Sequence, residues 1–329
     1  MDVDYSPEQQ QLRESVRRYL ADRAPLTALR ETYGVALAKV DAAWSGLCEL
    51  GVGEDMRDLG VVLEECGRAL YPGPIQSLVT GAELLPELQS GERIGALALY
   101  EPASGFSWRS PATTVESGQL TGTKAWVPDA PIADVFLVVA ADGVYAVEEA
   151  EAQIESTMTY DGSRSWSTVT FADAPAQLIR DHSGVERALD RTVVALAADG
   201  VGAAGRALEL ALDYAKTREQ FGKPIGAFQA VQHLCADMLQ LLEMGRAGTH
   251  YALWALDEAD PAEAHRAATM AKAYTSDAFP RIGALAIQVF GGVGFTWEHD
   301  IHLYYKRLLG NAAAYGNAPH HLEELAGLV

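Results

Sequence analysis

The sequence predicts an α+β protein in which a helical region, a β-rich region and a second helical region follow one another. Apolar residues recur at helical spacing near the N-terminus, and β-branched runs separated by turn residues begin near Glu92. Helical spacing returns from about Gly184. We therefore place an N-terminal helical domain at residues 1–90, an antiparallel β domain at 91–184 and a C-terminal four-helix bundle at 185–329.

The first helix begins at a capping signal. Ser6 is suited to the N-cap, Pro7 to the first helical position, and Gln9 completes a capping box. Leu12 and Val16 then fall on one face. Helical spacing resumes at residue 43 and continues to about residue 88, interrupted by the breaker YPGP.

The β domain is predicted from four runs rich in β-branched and aromatic residues: IGALALYE, TTVESGQLTGTKAWV, DVFLVVAADGVYAVE and STVTFADA. Glycine, proline, aspartate and serine separate them. The acidic stretch EEAEAQIE at 148–155 is expected to form a solvated loop. Four long helices are predicted near 186–217, 225–258, 261–292 and 296–310, the third starting at an Asp260-Pro261 cap.

Composition excludes several classes of partner. The chain has 25 Lys and Arg against 45 Asp and Glu, and the resulting net charge of -20 disfavours nucleic acid and anionic membranes. The N-terminus lacks a signal-peptide pattern, and no apolar run approaches the roughly 18 to 20 residues of a membrane span. We expect a cytoplasmic protein with its cysteines reduced.

No metal site is predicted. The three cysteines lack metal-ligand spacing, and the histidine pairs His299 with His302 and His320 with His321 have no further ligand at a suitable spacing.

A glycine pattern near the start of the C-terminal region imitates a dinucleotide fingerprint. Gly200, Gly202 and Gly205 are spaced as G-x-G-x-x-G after an apolar run. A Rossmann unit needs a second strand after the helix, whereas another helical pattern follows here. We therefore expect these glycines to permit close packing between helices.

Two stretches carry a resemblance to a known family. REQFGKPIGAFQAVQHLCADM, from Arg218, and QVFGGVGFTWEHDIHLYYKR, at 288–307, resemble the C-terminal signatures of acyl-CoA dehydrogenases. The first helix and the order of the three regions agree with that family. The resemblance covers nearly the whole chain, although the chain is short for the family in its N-terminal helical region.

The resemblance implies a flavin cofactor, FAD, and an acyl-CoA substrate. In the family, the arginine of the first signature reaches a neighbouring subunit's FAD diphosphate, and the second signature meets the adenosine side. Bidentate guanidinium pairing with phosphate and side-chain-free glycine backbone suit these roles. The implied cofactor-binding residues are Arg218, Gln220, Phe221, Phe228, Gln229, Gln288, Gly291 and Gly292. Phe221 and Phe228 are equally consistent with core packing.

The catalytic half of the family pattern is missing. Family members carry a glutamate base in an E-G-T segment, where this chain has Tyr315 followed by Gly316. Some members place the base near the start of the first C-terminal helix. The nearest carboxylates there are Glu186, Asp190 and Asp199, which are also consistent with ordinary helix charges.

The residues that hold the flavin ring in the family are also altered. Tyr100 and Pro128 replace two threonines, and proline offers neither a hydroxyl nor an amide N–H. Trp126 and the Glu101-Pro102 pair are retained, which packing or a turn would also explain.

Three hypotheses follow. In the first, the chain is the shorter subunit of a heterotetrameric enzyme and lends FAD contacts to a catalytic partner, as in actinobacterial members that act on steroid side-chain CoA thioesters. In the second, it is an active homotetramer with a displaced base such as Asp190. In the third, it is a non-redox structural or binding descendant. The acyl group cannot be read from the sequence.

Overall fold

The computed structural model describes residues 5–35, 39–40, 42–50 and 55–328. They fall into two compact units. The helical unit contains the described parts of Met1–Leu29, Gly53–Tyr71 and Val193–Val329, and the sheet unit those of Arg30–Val52 and Pro72–Thr192. Helices and mixed strands in this order confirm the α+β class. The domain boundaries near 90 and 184 stay a prediction.

The described residues form α-helices and strands in the following order. The α-helices are α1 Pro7–Arg23, α2 Leu26–Thr32, α3 Ala43–Glu49, α4 Met56–Ala69, α5 Ile75–Leu84, α6 Val185–Thr217, α7 Gln229–Glu258, α8 Pro261–Phe290, α9 Ile301–Ala313 and α10 Ala318–Gly327. The strands are β1 Gly95–Ala98, β2 Thr114–Glu116, β3 Gln119–Pro128, β4 Val135–Ala140, β5 Gly143–Glu148, β6 Ala152–Thr157, β7 Trp166–Pro175, β8 Gln177–Arg180, β9 Glu219–Gln220 and β10 Lys223–Pro224.

The predicted helix caps are present. The Ser6 hydroxyl accepts a hydrogen bond from the Gln9 backbone N–H at 3.2 Å, and the Gln9 side chain accepts one from the Ser6 N–H at 3.1 Å. Val16 is fully buried on the inner face of α1. At α8, the Asp260 carboxylate accepts from two N–H groups of the first turn. Both helices therefore begin where their cap residues predict.

The sheet unit contains two four-stranded sheets, ordered β1-β4-β5-β8 and β2-β3-β7-β6. Phe136 and Phe171, one from each sheet, meet edge to face at 5.7 Å in the buried core. One pair corrects the antiparallel prediction, because β1 and β4 run parallel. The chain between them forms β2 and β3 in the other sheet before it returns. The residue pattern of one strand does not show which strand it pairs with, so the sequence could not predict this crossover.

The acidic stretch at 148–155 is not wholly a loop. Residues 149–151 form a short 3-10 turn, and β6 pairs with β7 from Ala152 onward. β6 is an edge strand whose side chains alternate between half-buried and exposed positions over its first four residues. The glutamates occupy exposed positions, as edge strands tolerate well.

The C-terminal region has one helix more than predicted. α10 follows α9, and the Asn317 side chain caps it by accepting from the His320 N–H at 3.2 Å. Gly316, with φ of +103°, interrupts the periodicity before this cap and hides the helix in the sequence. α7 and α9 also start later than predicted, because a 3-10 turn occupies 225–227 before α7, and turns and bends occupy 296–300 before α9.

One described helical stretch corrects the expectation about apolar runs. Pro261–Phe295 is long and apolar enough for a membrane span by length and composition, and half of its most apolar window is buried inside the protein. Residues 278–295 carry one charged side chain, Arg281, which accounts for the high hydropathy. Buried core helices satisfy the same criterion.

The three glycines of the dinucleotide-like pattern lie inside α6. A Cβ at Gly202 would stand 1.7 Å from the Glu64 carbonyl oxygen, and one at Gly67 would stand 1.8 Å from the Asp199 carbonyl oxygen. α4 and α6 therefore cross with their backbones in contact, each through a glycine of its own. The pattern serves helix packing, as predicted.

We expect Gly202→Ala to destabilise the helical unit by about 3 kcal/mol, because a rigid backbone opposes the new methyl group. Gly248→Ala is the matched control, since a Cβ there meets no atom within 4 Å. A helical Gly→Ala change at such a position stabilises by up to about 1 kcal/mol. Urea unfolding measures both changes. Equal effects of the two variants would contradict the close crossing.

Candidate functional site

The first signature forms a short hairpin beyond α6. β9 and β10 pair antiparallel, and Phe221 and Gly222 form the two-residue turn with φ of 53° and 79°. Two positive φ values define a type I′ turn, which costs a non-glycine residue about 1 kcal/mol. The turn leaves Phe221 93% exposed. A strained, exposed aromatic residue is typical of a functional surface.

Contacts around Phe228 hold this hairpin in place. The ring of Phe228 meets the Phe221 ring edge to face at 6.1 Å, and the Lys223 ammonium lies 4.5 Å from the Phe228 centroid. The Ile225 N–H donates to the Arg218 carbonyl at 2.8 Å, which closes the hairpin base. Phe228 is half-buried and supports the turn, whereas Phe221 has no core role.

The second signature forms the end of α8 and the turn after it. Gly291 has φ of +65° and ψ of -143°, a conformation that glycine favours, and its N–H donates to the carbonyls of Gln288 and Ile287. A Cβ at Gly291 or Gly292 would meet no atom within 4 Å. Gln288 is exposed on the last turn of the helix. The segment thus offers open backbone to a ligand.

The fold brings the two signatures together at one end of the helical unit. Tyr214, one turn before Arg218, stacks on Phe290 at 4.3 Å with the rings inclined by 25°. Phe290 is followed directly by Gly291. The hairpin and the glycine turn are therefore neighbours, although the sequence separates them widely.

The predicted residues fit the anionic tail of a dinucleotide. All but Phe228 are exposed, namely Arg218, Gln220, Phe221, Gln229, Gln288, Gly291 and Gly292. Across the part of the chain that the structure describes, no carboxylate pairs with the Arg218 guanidinium. An exposed guanidinium without an ion pair among the described residues, with open glycine backbone on a neighbouring segment, suits a phosphate group.

The retained glutamate of the sheet unit is occupied by internal contacts. The Glu101 carboxylate accepts from the Ala112 N–H at 2.8 Å, from Thr113 through its N–H at 2.9 Å and hydroxyl at 2.7 Å, and from Lys124 Nζ at 3.1 Å. Burial opposes its charge, but these donors outweigh burial and lower the Glu101 pKa to about 2. Glu101 therefore ties β1 to the strands beside it.

The positions that would face a flavin ring do not fit one. Tyr100 is buried, lies edge to face with Phe106 at 6.0 Å, and accepts the Ala125 N–H through its carbonyl. Pro128 ends β3 and supplies no donor. Trp126 is half exposed with φ of 56°. Pro128 offers no hydroxyl, and Tyr100 places a large buried side chain where the family pattern has a threonine.

The carboxylates considered as a catalytic base are placed as follows. Glu186 is half exposed and pairs with Arg109, and Asp190 is 8% exposed. Asp199 is 1% exposed and accepts from Arg307 Nε at 3.0 Å and Asn311 Nδ2 at 2.7 Å. These bonds commit Asp199 to the core.

The segment that carries the family's glutamate contains no carboxylate. Tyr315 is 6% exposed with φ of 55°, and its carbonyl accepts from the His321 ring at 3.0 Å. Gly316 follows, as the sequence indicates. The region is ordered by packing, and Tyr315 takes the position of the family's glutamate without supplying a carboxylate.

Sequence reasoning missed a buried lysine. Lys272 Nζ donates to the Asn311 carbonyl at 2.6 Å, the Ala312 carbonyl at 3.3 Å and the Ser276 hydroxyl at 2.9 Å. Burial lowers its pKa to about 7. The adjoining cavity measures about 10 Å³, which holds at most one water. Lys272 therefore supports the end of α9.

Among the described residues, no group of three His, Cys, Asp or Glu side chains is arranged for a metal ion.

Comparison with known proteins identifies the family. Residues 183–326 match the acyl-CoA dehydrogenase C-terminal domain. The acyl-CoA dehydrogenase IpdE2 of Mycobacterium tuberculosis is 33% identical over 93% of this chain and 92% of its own length. FadE34 of the same organism is 33% identical over 84% of this chain, which spans 39% of FadE34.

Solved structures agree with this assignment. A variant of the Tcur3481-Tcur3483 steroid ACAD superposes with a TM-score of 0.87 at 28% identity, covering 98% of this chain and 97% of that one. The sequence signatures, the fold and the relatives coincide over nearly the full chain. The protein therefore belongs to the acyl-CoA dehydrogenase family.

Proposed function

We propose that this chain is a subunit of an FAD-dependent acyl-CoA dehydrogenase and lends FAD-tail contacts to a catalytic partner chain. The observation that carries the proposal is an asymmetry between its two flavin-related regions. The tail-binding signatures are exposed and open to a ligand, whereas the ring-facing positions are altered and the base is missing.

The roles follow from the chemistry of each group. The Arg218 guanidinium would pair with the diphosphate, and the backbone of Gly291 and Gly292 would lie against the adenosine side. Phe221 would cover the tail with its exposed ring. A bound FAD would supply the hydride acceptor for dehydrogenation of the acyl thioester. This chain's residues hold and orient the cofactor and take no part in removing the α-proton.

The surface of the helical unit supports an assembled form. Phe221, Phe295 and Trp297 are 93%, 74% and 52% exposed, and Leu239 and Met244 are 50% and 59% exposed. Large apolar side chains at such exposure are typical of surfaces that bind another protein. A catalytic acyl-CoA dehydrogenase chain is the partner that the tail signatures require, in a heterotetramer with one flavin per pair of chains.

The substrate class is an acyl-CoA thioester. Similarity to the Tcur3481-Tcur3483 steroid ACAD supports a steroid side-chain thioester and a two-chain assembly. We place the protein in lipid and steroid catabolism on the same ground. A cytoplasmic location and the absence of nucleic-acid and membrane partners are part of the proposal.

The test is the flavin content of the purified protein. We expect the chain expressed alone to retain little FAD, and the chain co-expressed with a longer, catalytically competent acyl-CoA dehydrogenase chain to retain one FAD per pair of chains. Absorbance at flavin wavelengths and quantitative amino-acid analysis give the ratio.

Two outcomes would contradict the proposal. A full flavin complement with dehydrogenase activity in the chain alone would favour an active homotetramer with a displaced base such as Asp190. No flavin and no complex in either preparation would favour a non-redox binding protein.

A further inference from the structure

A buried aromatic stack joins the two tail-binding segments. Phe290 is 4% exposed and contacts two rings, with centroid distances of 4.3 Å to Tyr214 and 4.1 Å to His299. The ring planes are inclined by 25° and 41°. Phe290 thus contacts aromatic partners from two other segments of the helical unit.

Tyr214 lies just before the hairpin that carries Arg218, and His299 lies after the Gly291-Gly292 turn. The Tyr214 carbonyl accepts the Arg218 N–H at 2.8 Å, so Tyr214 anchors the base of the hairpin. The His299 ring accepts the Ile301 N–H at 3.2 Å and caps the start of α9. Phe290 itself ends α8 and precedes Gly291. A single side chain therefore connects the ends of α6 and α8 with the start of α9.

These ends need such a connection. The terminal turns of helices open more easily than their centres, and the hairpin beyond α6 is exposed. A ligand that bridges two mobile segments binds more weakly, because part of its binding free energy is spent on ordering them. A rigid support that orders the segments in advance removes this loss. Aromatic pairs in close contact contribute about 0.5 to 1.5 kcal/mol beyond the area they bury and favour particular ring orientations.

We propose that Phe290 is a positioning residue that sets the distance between Arg218 and the Gly291-Gly292 backbone, and through it the affinity for the adenosine diphosphate half of FAD. This inference rests on the proposed function of the two segments. Phe290 acts through its neighbours, since its ring is buried and does not reach the ligand.

The experiment compares two buried phenylalanines of α8 in the co-expressed complex. Phe290→Leu removes the stack, whereas Phe279→Leu, about three turns earlier, removes an equally buried ring that packs on Gly200 and Gly245. We expect Phe290→Leu to raise the Kd for FAD roughly three- to tenfold. Phe279→Leu should lower the Tm and leave that Kd unchanged. Phe290→Tyr should restore tight binding.

Flavin fluorescence during titration of the stripped complex with FAD gives each Kd, and circular dichroism checks folding. If Phe290→Leu does not fold, Tyr214→Leu removes the half-buried side of the stack and should raise the Kd in the same way. Equal Kd values for the Phe290 and Phe279 variants, with Arg218→Ala impaired, would overturn this inference alone. An Arg218→Ala complex that binds FAD normally would overturn the proposed function and this inference with it.

Discussion

Replacing Arg218 with alanine is expected to weaken FAD binding by the co-expressed complex roughly a hundredfold. The guanidinium is exposed and carries no ion pair among the described residues, so it is available for a phosphate. Two charge-assisted hydrogen bonds to the diphosphate account for an effect of this size. Equilibrium titration of the stripped complex, followed by flavin fluorescence, measures it.

Two further variants sharpen this prediction. Arg218→Lys should recover part of the affinity, because lysine keeps the charge but lacks the planar fork. Arg281→Ala is the matched control, since Arg281 is an exposed arginine on α8 that pairs only loosely with Asp277 at 3.4 Å. Unchanged FAD affinity in Arg218→Ala, or an equal loss in Arg281→Ala, would contradict the assigned role.

The Arg307→Met variant is expected to lose about 3 to 5 kcal/mol of unfolding free energy. Arg307 is fully buried, donates to the Asp199 carboxylate at 3.0 and 3.3 Å, and donates to the Tyr71 carbonyl at 2.7 Å. Methionine is close in volume but leaves the Asp199 charge without its main partner. Urea unfolding followed by circular dichroism gives the change.

We attribute this loss of unfolding free energy to the Asp199 charge, which Arg307→Met leaves buried without its main partner. A second variant tests this explanation. Arg307→Met combined with Asp199→Leu removes both charges and should recover most of the lost stability. Arg281→Met serves as the exposed control and should change stability by less than about 1 kcal/mol. If Arg307→Met alone costs no more than this control, the buried pair does not contribute as described.

Much of the fold was predictable because its signals are local. Ser6 and Asp260 mark helix starts through side chains that cap the next turn, and the glycines of α6 were assigned to packing because a helix and no strand follows. The parallel pairing of β1 with β4 was not predictable, since it depends on a chain crossover between distant segments. Helix α10 was missed because Gly316 breaks the periodicity before Asn317 starts it again.

The site was predictable only in part. The Arg218 hairpin and the glycine turn were found through family signatures, which name residues but not their neighbours. Phe290 was within a quoted signature, yet its role depends on Tyr214 and His299, which only the tertiary structure brings to it. The hydrogen bonds of the Glu101 carboxylate were likewise not predictable, because a loop brings the Ala112 and Thr113 N–H groups to it.

The most direct test of the account is a cryo-electron microscopy map of the co-expressed complex with FAD bound. We expect density for the adenosine diphosphate half against Arg218 and Gly291 of this chain, with the isoalloxazine ring held by the partner chain. An isoalloxazine ring seated beside Tyr100 and Trp126 of this chain would contradict it.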